Sequence, residues 1–106
     1  MNNLDAKINE VGFEIAKDLD EKLINKLLGV LANDGVYAMW VYAKSKKDVK
    51  EKELYKKLKS ILNISNEDYE EYFQKLSNNI NELLFKKELL EKTLTYARYH
   101  AKVIGD

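Results

Sequence analysis

At 106 residues, with eighteen basic and eighteen acidic side chains and neither cysteine nor proline, the chain is sized for one domain with a modest core. The cancelling charge gives no overall pull towards nucleic acid, and the missing cysteines exclude disulfides, thiolate metal sites and cysteine nucleophiles together. Glycines stand only at 12, 29, 35 and 105, and Lys, Glu, Leu and Asn dominate, a composition that favours long helices over many strands.

In chain order, Leu4, Ile8, Val11 and Ile15 fall in steps of four, three and four, one face of a first helix that Asn2 or Asn3 can cap. This opening stretch is net acidic and lacks an apolar core of signal-peptide type, so the expected location is the cytoplasm. The cluster Asp18-Leu19-Asp20-Glu21 suits the positive end of a second helix. Leu23, Leu27, Leu28, Val30 and Leu31 give that helix an apolar face, and Asn33-Asp34-Gly35 ends it.

Val36 to Ala43 is eight apolar or aromatic residues without a break and holds the single Trp. Caps upstream and lysines from Lys44 onward place it in a helix rather than a strand. Trp40 and Tyr42 are expected at the centre of the bundle, on this helix, with the other helices packed against it. A membrane span over Ile24 to Ala43 is excluded, because Asn25, Lys26, Asn33, Asp34 and two glycines interrupt the roughly 20 apolar residues that a bilayer needs.

Leu54, Leu58, Ile61 and Leu62, with Tyr55 on the flank, mark a fourth helix closed by Asn63-Ile64-Ser65-Asn66. Ser65 and Asp68 have capping-box spacing and open a fifth through Tyr69, Tyr72, Phe73 and Leu76. Ser77-Asn78-Asn79 is a break. Leu83, Leu90, Leu94, Ala97, Ala101 and Ile104 then form a heptad-like seam along the last helix, which Gly105 is placed to stop. The expected fold is all-α: a compact bundle of five or six helices with a buried central helix, one domain over residues 1–106.

Signals of catalysis are sparse. His100 and Arg98 are the single His and the single Arg. Helical RNases of the HEPN type place the His about four to six residues after the Arg, a spacing that Arg98-Tyr99-His100 does not meet. Glu67-Asp68 and Glu70-Glu71 suit a helix N-terminus, and no Glu-x-x-His occurs of the kind that helical metal sites use. No Gly-rich phosphate loop is present. The expectation is a protein without catalytic residues, metal or cofactor.

The lysines are the better lead. Between Lys44 and Lys59 stand eight lysines against three acids, whereas residues 1–21 carry six acids against two lysines. Such a basic stretch can hold phosphates by counterion release inside a neutral protein. It can equally be a solvated helix face, since its lysines alternate with acids. With so little arginine, base-specific readout is disfavoured. Lys44, Lys46, Lys47 and Lys50 are the first candidates for phosphate contact, and Arg98 and Lys102 the second. The seven tyrosines, among them Tyr96 and Tyr99 beside Arg98, fit packing or an interface better than base stacking.

Gly35-Val36, Tyr42 and Ser45-Lys46 also carry a resemblance. The stretch is similar to the signature of the small helical subunit of type III-B CRISPR effector complexes, the Cmr small subunit. That signature has an Asn-Gly-Leu turn, a helix reading roughly Thr-Leu-Ala-Phe, and Ser-Lys. Leu27-Leu28-Gly29-Val30-Leu31 resembles the helix end that leads into the turn, and Glu91 to Ala101 resembles the aromatic, basic last helix. The chain departs from the pattern at Asp34, inserted between Asn33 and Gly35, and at Met39-Trp40-Val41 in place of Thr-Leu-Ala. Related small subunits of type III-A or type I complexes resemble it almost as well. The resemblance implies a non-catalytic subunit that stacks along a ribonucleoprotein, self-associates along the filament and contacts other effector subunits, crRNA and target RNA. The contrasting expectation is a helical adaptor or oligomeric scaffold that uses the 83–104 seam and binds no nucleic acid.

Overall fold

The computed structural model describes residues 3–62, 64 and 68–105. Among them lie six helices: α1 (Asn3–Asp18), α2 (Glu21–Asp34), α3 (Val36–Ser45), α4 (Glu51–Leu62), α5 (Tyr69–Leu76) and α6 (Ile80–Gly105). The fold is all-α, as expected. Its radius of gyration, 12.9 Å, is that of a close-packed chain of this length. Among the described residues no helix is long and apolar enough to cross a membrane.

The helix boundaries have local causes. Asp20 caps α2, its carboxylate accepting from the Leu23 N–H at 2.8 Å. Gly35 joins α2 to α3 alone: its N–H donates to Leu31 O and its carbonyl accepts from Met39 N, both at 3.1 Å. The φ of 98° and ψ of −178° at this joint are open to glycine almost exclusively. Asp68 stands at the N-cap of α5 without a side-chain capping bond. Its expected capping-box partner Ser65 lies outside the described residues, as do Asn2, Asn63 and Asn66. After the break at Ser77–Asn79, the Asn79 side chain accepts from Glu82 N at 3.2 Å and starts α6.

The long helix α6 is the spine, packing on α1 and α2 and, less extensively, on α4 and α5. Leu90, Leu94, Ala97 and Ala101 of the expected seam are buried where α6 packs on the other helices, and Leu83 is half-buried. Ile104, at the end of the seam, is exposed. The approach of α1 to α6 is closest at Gly12. A Cβ built there would stand 2.9 Å from Tyr96 Cβ and 3.0 Å from both Ala97 N and Thr93 O.

The helix α3 packs on α2, α4 and α5. Its buried residues Val36, Met39, Trp40 and Ala43 follow helical spacing, while Val41 is exposed. Trp40 lies where expected, with ring centroids 4.3 Å from Tyr55 and 5.1 Å from Phe73. Tyr42, expected beside it in the centre, is half-buried at the rim, because two residues of helix turn it away from the core. Helix α4 is closed from outside its own sequence. The buried Lys86 ammonium donates to Leu62 O at 2.7 Å and the Tyr72 hydroxyl to the same carbonyl at 3.1 Å.

Candidate functional site

The predicted lysines lie where α3 ends and the connection to α4 begins. Lys46 N donates to Ala43 O at 3.3 Å, and Val49 N to Lys46 O at 3.1 Å. Val49 itself is buried, which pins the connection to the core. Lys44, Lys46, Lys47 and Lys50 are all exposed around this anchor. Four cations are therefore presented by a segment that the core holds in place.

Their surroundings differ. Lys44 lies 5.5 Å above the Trp40 ring and 3.5 Å from Glu70 Oε2. Lys46 lies 5.0 Å above the Tyr42 ring. It lines a groove of about 480 Å³ with Lys22 and Lys26 of α2, along with Asp18, Asp20 and Asp48. Lys50 lines a neighbouring cleft of about 360 Å³ with Asp18, Asp48, Glu53 and Lys57. The basic segment thus faces the acidic α1–α2 corner. Lys57 closes the two together, pairing with the Asp18 carboxylate and donating to Glu14 O at 2.9 Å. The charge division legible along the chain is partly cancelled across the fold.

The second group is not gathered with the first. Lys102 lines an open groove on α6 that also contains Asp18, Asp20, Lys17 and Lys22. Arg98 is half-buried, its guanidinium 5.5 Å from the Tyr99 ring centroid. The Asp18–Asp20 corner is shared between the grooves of Lys46 and Lys102, so the six predicted residues do not form one continuous basic surface. Lys22 and Lys26 belong with Lys46 and were not anticipated. They sit four apart on one helix among neutral and acidic neighbours, and only the packing of α2 on α3 brings them there.

Glu70 is the other unanticipated residue. Its carboxylate accepts from the Tyr37 hydroxyl and from Trp40 Nε1, each at 2.6 Å, fastening α5 to α3. The Tyr37 bond, then the Trp40 bond, holds the Glu70 carboxyl below the ordinary carboxylate range, and the same Tyr37–Glu70 bond raises the Tyr37 hydroxyl. Tyr37, Trp40 and Lys44 lie in steps of three and four on α3, a row of donors visible in the sequence; their acceptor, thirty residues on, is not.

His100 is occupied with Asn9, Nε2 to Oδ1 at 2.8 Å, and its ring meets the edge of Phe13 at 5.3 Å between centroids. Among the described residues no group of three or more His, Cys, Asp or Glu side chains is placed to hold a metal ion. No family model matches the chain, and no curated protein or solved structure does.

Proposed function

We propose that the chain is a small helical subunit of an RNA-guided CRISPR effector ribonucleoprotein, contacting the crRNA–target path through backbone phosphates. One observation carries the reading: Lys44, Lys46, Lys47 and Lys50 are exposed around the pinned end of α3, with Lys22 and Lys26 across the groove from Lys46. The resemblance at Gly35-Val36, Tyr42 and Ser45-Lys46 supports it, because the same segment carries both the family pattern and the cations. The role is one of binding and stacking, without catalysis, in the cytoplasm beside the other effector subunits. Lysines of this kind recognise the phosphate chain rather than the bases.

The test is charge reversal at Lys44, Lys46, Lys47 and Lys50 together, with single-stranded RNA binding by the assembled complex followed against salt. Four lost phosphate contacts reduce the slope of log affinity against log salt by about three for a single strand. Unchanged affinity and slope would remove the lysine segment from the RNA path.

A second reading, a protein-interaction adaptor, is favoured by the exposed Leu84, Phe85, Tyr99 and Val103 on α6. Binding through such side chains is nearly independent of salt, which separates the two. The third class, a small nuclease, would need His100, and substituting His100 by Ala would then abolish RNA cleavage by the protein.

A further inference from the structure

Lys17, Lys44, Lys57, Lys75 and Lys87 each pair with a carboxylate of the chain. Lys22, Lys26 and Lys46 form no ion pair with another described residue, yet all three are exposed and line the same groove. Lys22 and Lys26 stand four apart on α2, where like charges repel and cost the helix stability. Two of the three carboxylates in the groove are already engaged. Asp18 is taken by Lys57, and Asp20 accepts from the Leu23 N–H at 2.8 Å at the N-terminus of α2. Asp48 alone among the lining residues is left to answer three ammonium groups. Folding thus gathers unpaired like charges at one place, a conflict that a bound anion relieves.

We propose that this groove holds one nucleotide unit of a single-stranded RNA, its phosphate set between Lys22 and Lys26 of α2 and Lys46 at the end of α3. A phosphate between Lys22 and Lys26 turns their mutual repulsion into two attractions, and Lys46 closes on it from the other wall. The groove, about 480 Å³, also carries Leu23 and the half-buried Tyr42. Such apolar surface suits the ribose and base of a nucleotide, parts that a free phosphate lacks. Lys46 lies 5.0 Å from the Tyr42 ring, so a cation and an aromatic wall are presented together. A single strand can lay its base on that wall, whereas the bases of a duplex stay stacked on one another. All three cations are lysines, which hold the phosphate without reading the base. The inference rests on the phosphate reading of the α3 end and deepens it, adding α2 to the RNA path, and it makes no use of the family resemblance.

The experiment is fluorescence anisotropy of a labelled, short uridine oligonucleotide titrated with the purified full chain over a series of salt concentrations. Wild type is compared with Lys22→Ala/Lys26→Ala and with Lys7→Ala/Lys92→Ala, which removes the same charge from exposed positions outside the groove. The groove variant, with its helical circular dichroism unchanged, is expected to bind about tenfold or more weakly at low salt, and its slope of log affinity against log salt falls by about 1.4. The control variant keeps the wild-type affinity within about twofold. Equal weakening by the two variants overturns the proposal, because the charge would then act from anywhere on the surface. Inorganic pyrophosphate as competitor separates the two sources of phosphate. Displacement of the oligonucleotide only where pyrophosphate acts as bulk salt supports the RNA chain, and displacement far below that concentration overturns it in favour of a free anion. Absence of binding by wild type at low salt also overturns the groove, and the phosphate reading is then decided separately by charge reversal at the α3 end in the assembled complex.

Discussion

Adding a single methyl group at Gly12 tests the central packing of the bundle, because the same change at Gly29 should act in the opposite direction. Both glycines are inside helices, so alanine at either gains about 1 kcal/mol of helix propensity at most. At Gly29 nothing lies within 4 Å of the new carbon, and the gain stands. At Gly12 the methyl would meet Tyr96 Cβ at 2.9 Å and the Ala97 and Thr93 backbone at 3.0 Å. None of these is the free tip of a flexible side chain, so relief requires α1 and α6 to separate. Overpacking of this kind costs about 1–3 kcal/mol, and contact with backbone belongs in the upper half of that range. The net expectation is a loss of about 1–2 kcal/mol for Gly12→Ala and a gain of about 0.5–1 kcal/mol for Gly29→Ala. Urea unfolding followed by the single Trp measures both, with the midpoint moving and the slope unchanged. Equal stabilisation by the two substitutions would refute the close α1–α6 crossing.

Three further outcomes follow from named contacts. Because the native Glu70 carboxyl lies below its ordinary value of 4.5, its contribution to stability is complete above that pH and is lost as the pH falls through the lower native value. Acid titration of Trp40 fluorescence should show that component in wild type and lose it in Glu70→Gln; an identical acid profile for the two would mean that Glu70 does not fasten α5. At the alkaline end, the raised Tyr37 contributes stability that is complete below pH 10 and lost as the pH rises through its native value, a component absent from Tyr37→Phe in an alkaline unfolding series. For the shared carbonyl of Leu62, Lys86→Met and Tyr72→Phe should each cost about 1 kcal/mol, since one donor remains. The double variant should cost more than the sum, and strict additivity in a denaturation cycle would show that the two donors act separately.

Much of the fold was readable from periodicity and turn chemistry. The steps of three and four in Ile8 to Ile15 and in Leu90 to Ala101 mark faces that the core covers, whereas Leu4, expected on the same face, is exposed at the first turn; Asp20 and Gly35 mark boundaries by their capping and backbone preferences. Tyr42 was misjudged because an unbroken apolar run hides which side of the helix faces inward; Val41 and Tyr42 are turned outward by geometry alone. The seam of α6 was legible as a seam, but its partner was not, since periodicity does not distinguish the chain's own α1 and α2 from a second molecule. At the candidate site, the lysines of the α3 end were visible as a local excess. Lys22, Lys26, Glu70 and the Lys57–Asp18 pair were not, because each acquires its role from a residue at least sixteen positions away. Charge reads along the chain as density, whereas a surface is made by what folding sets side by side.

The proposed role is tested most directly by affinity purification of the tagged protein from its native cells, with the co-purifying polypeptides and nucleic acid identified. The account predicts short guide RNA together with repeat-stacking effector subunits, released from the protein as salt rises. A single unrelated protein partner, retained at high salt and free of RNA, would contradict it and leave the lysines at the end of α3 as a solvated face.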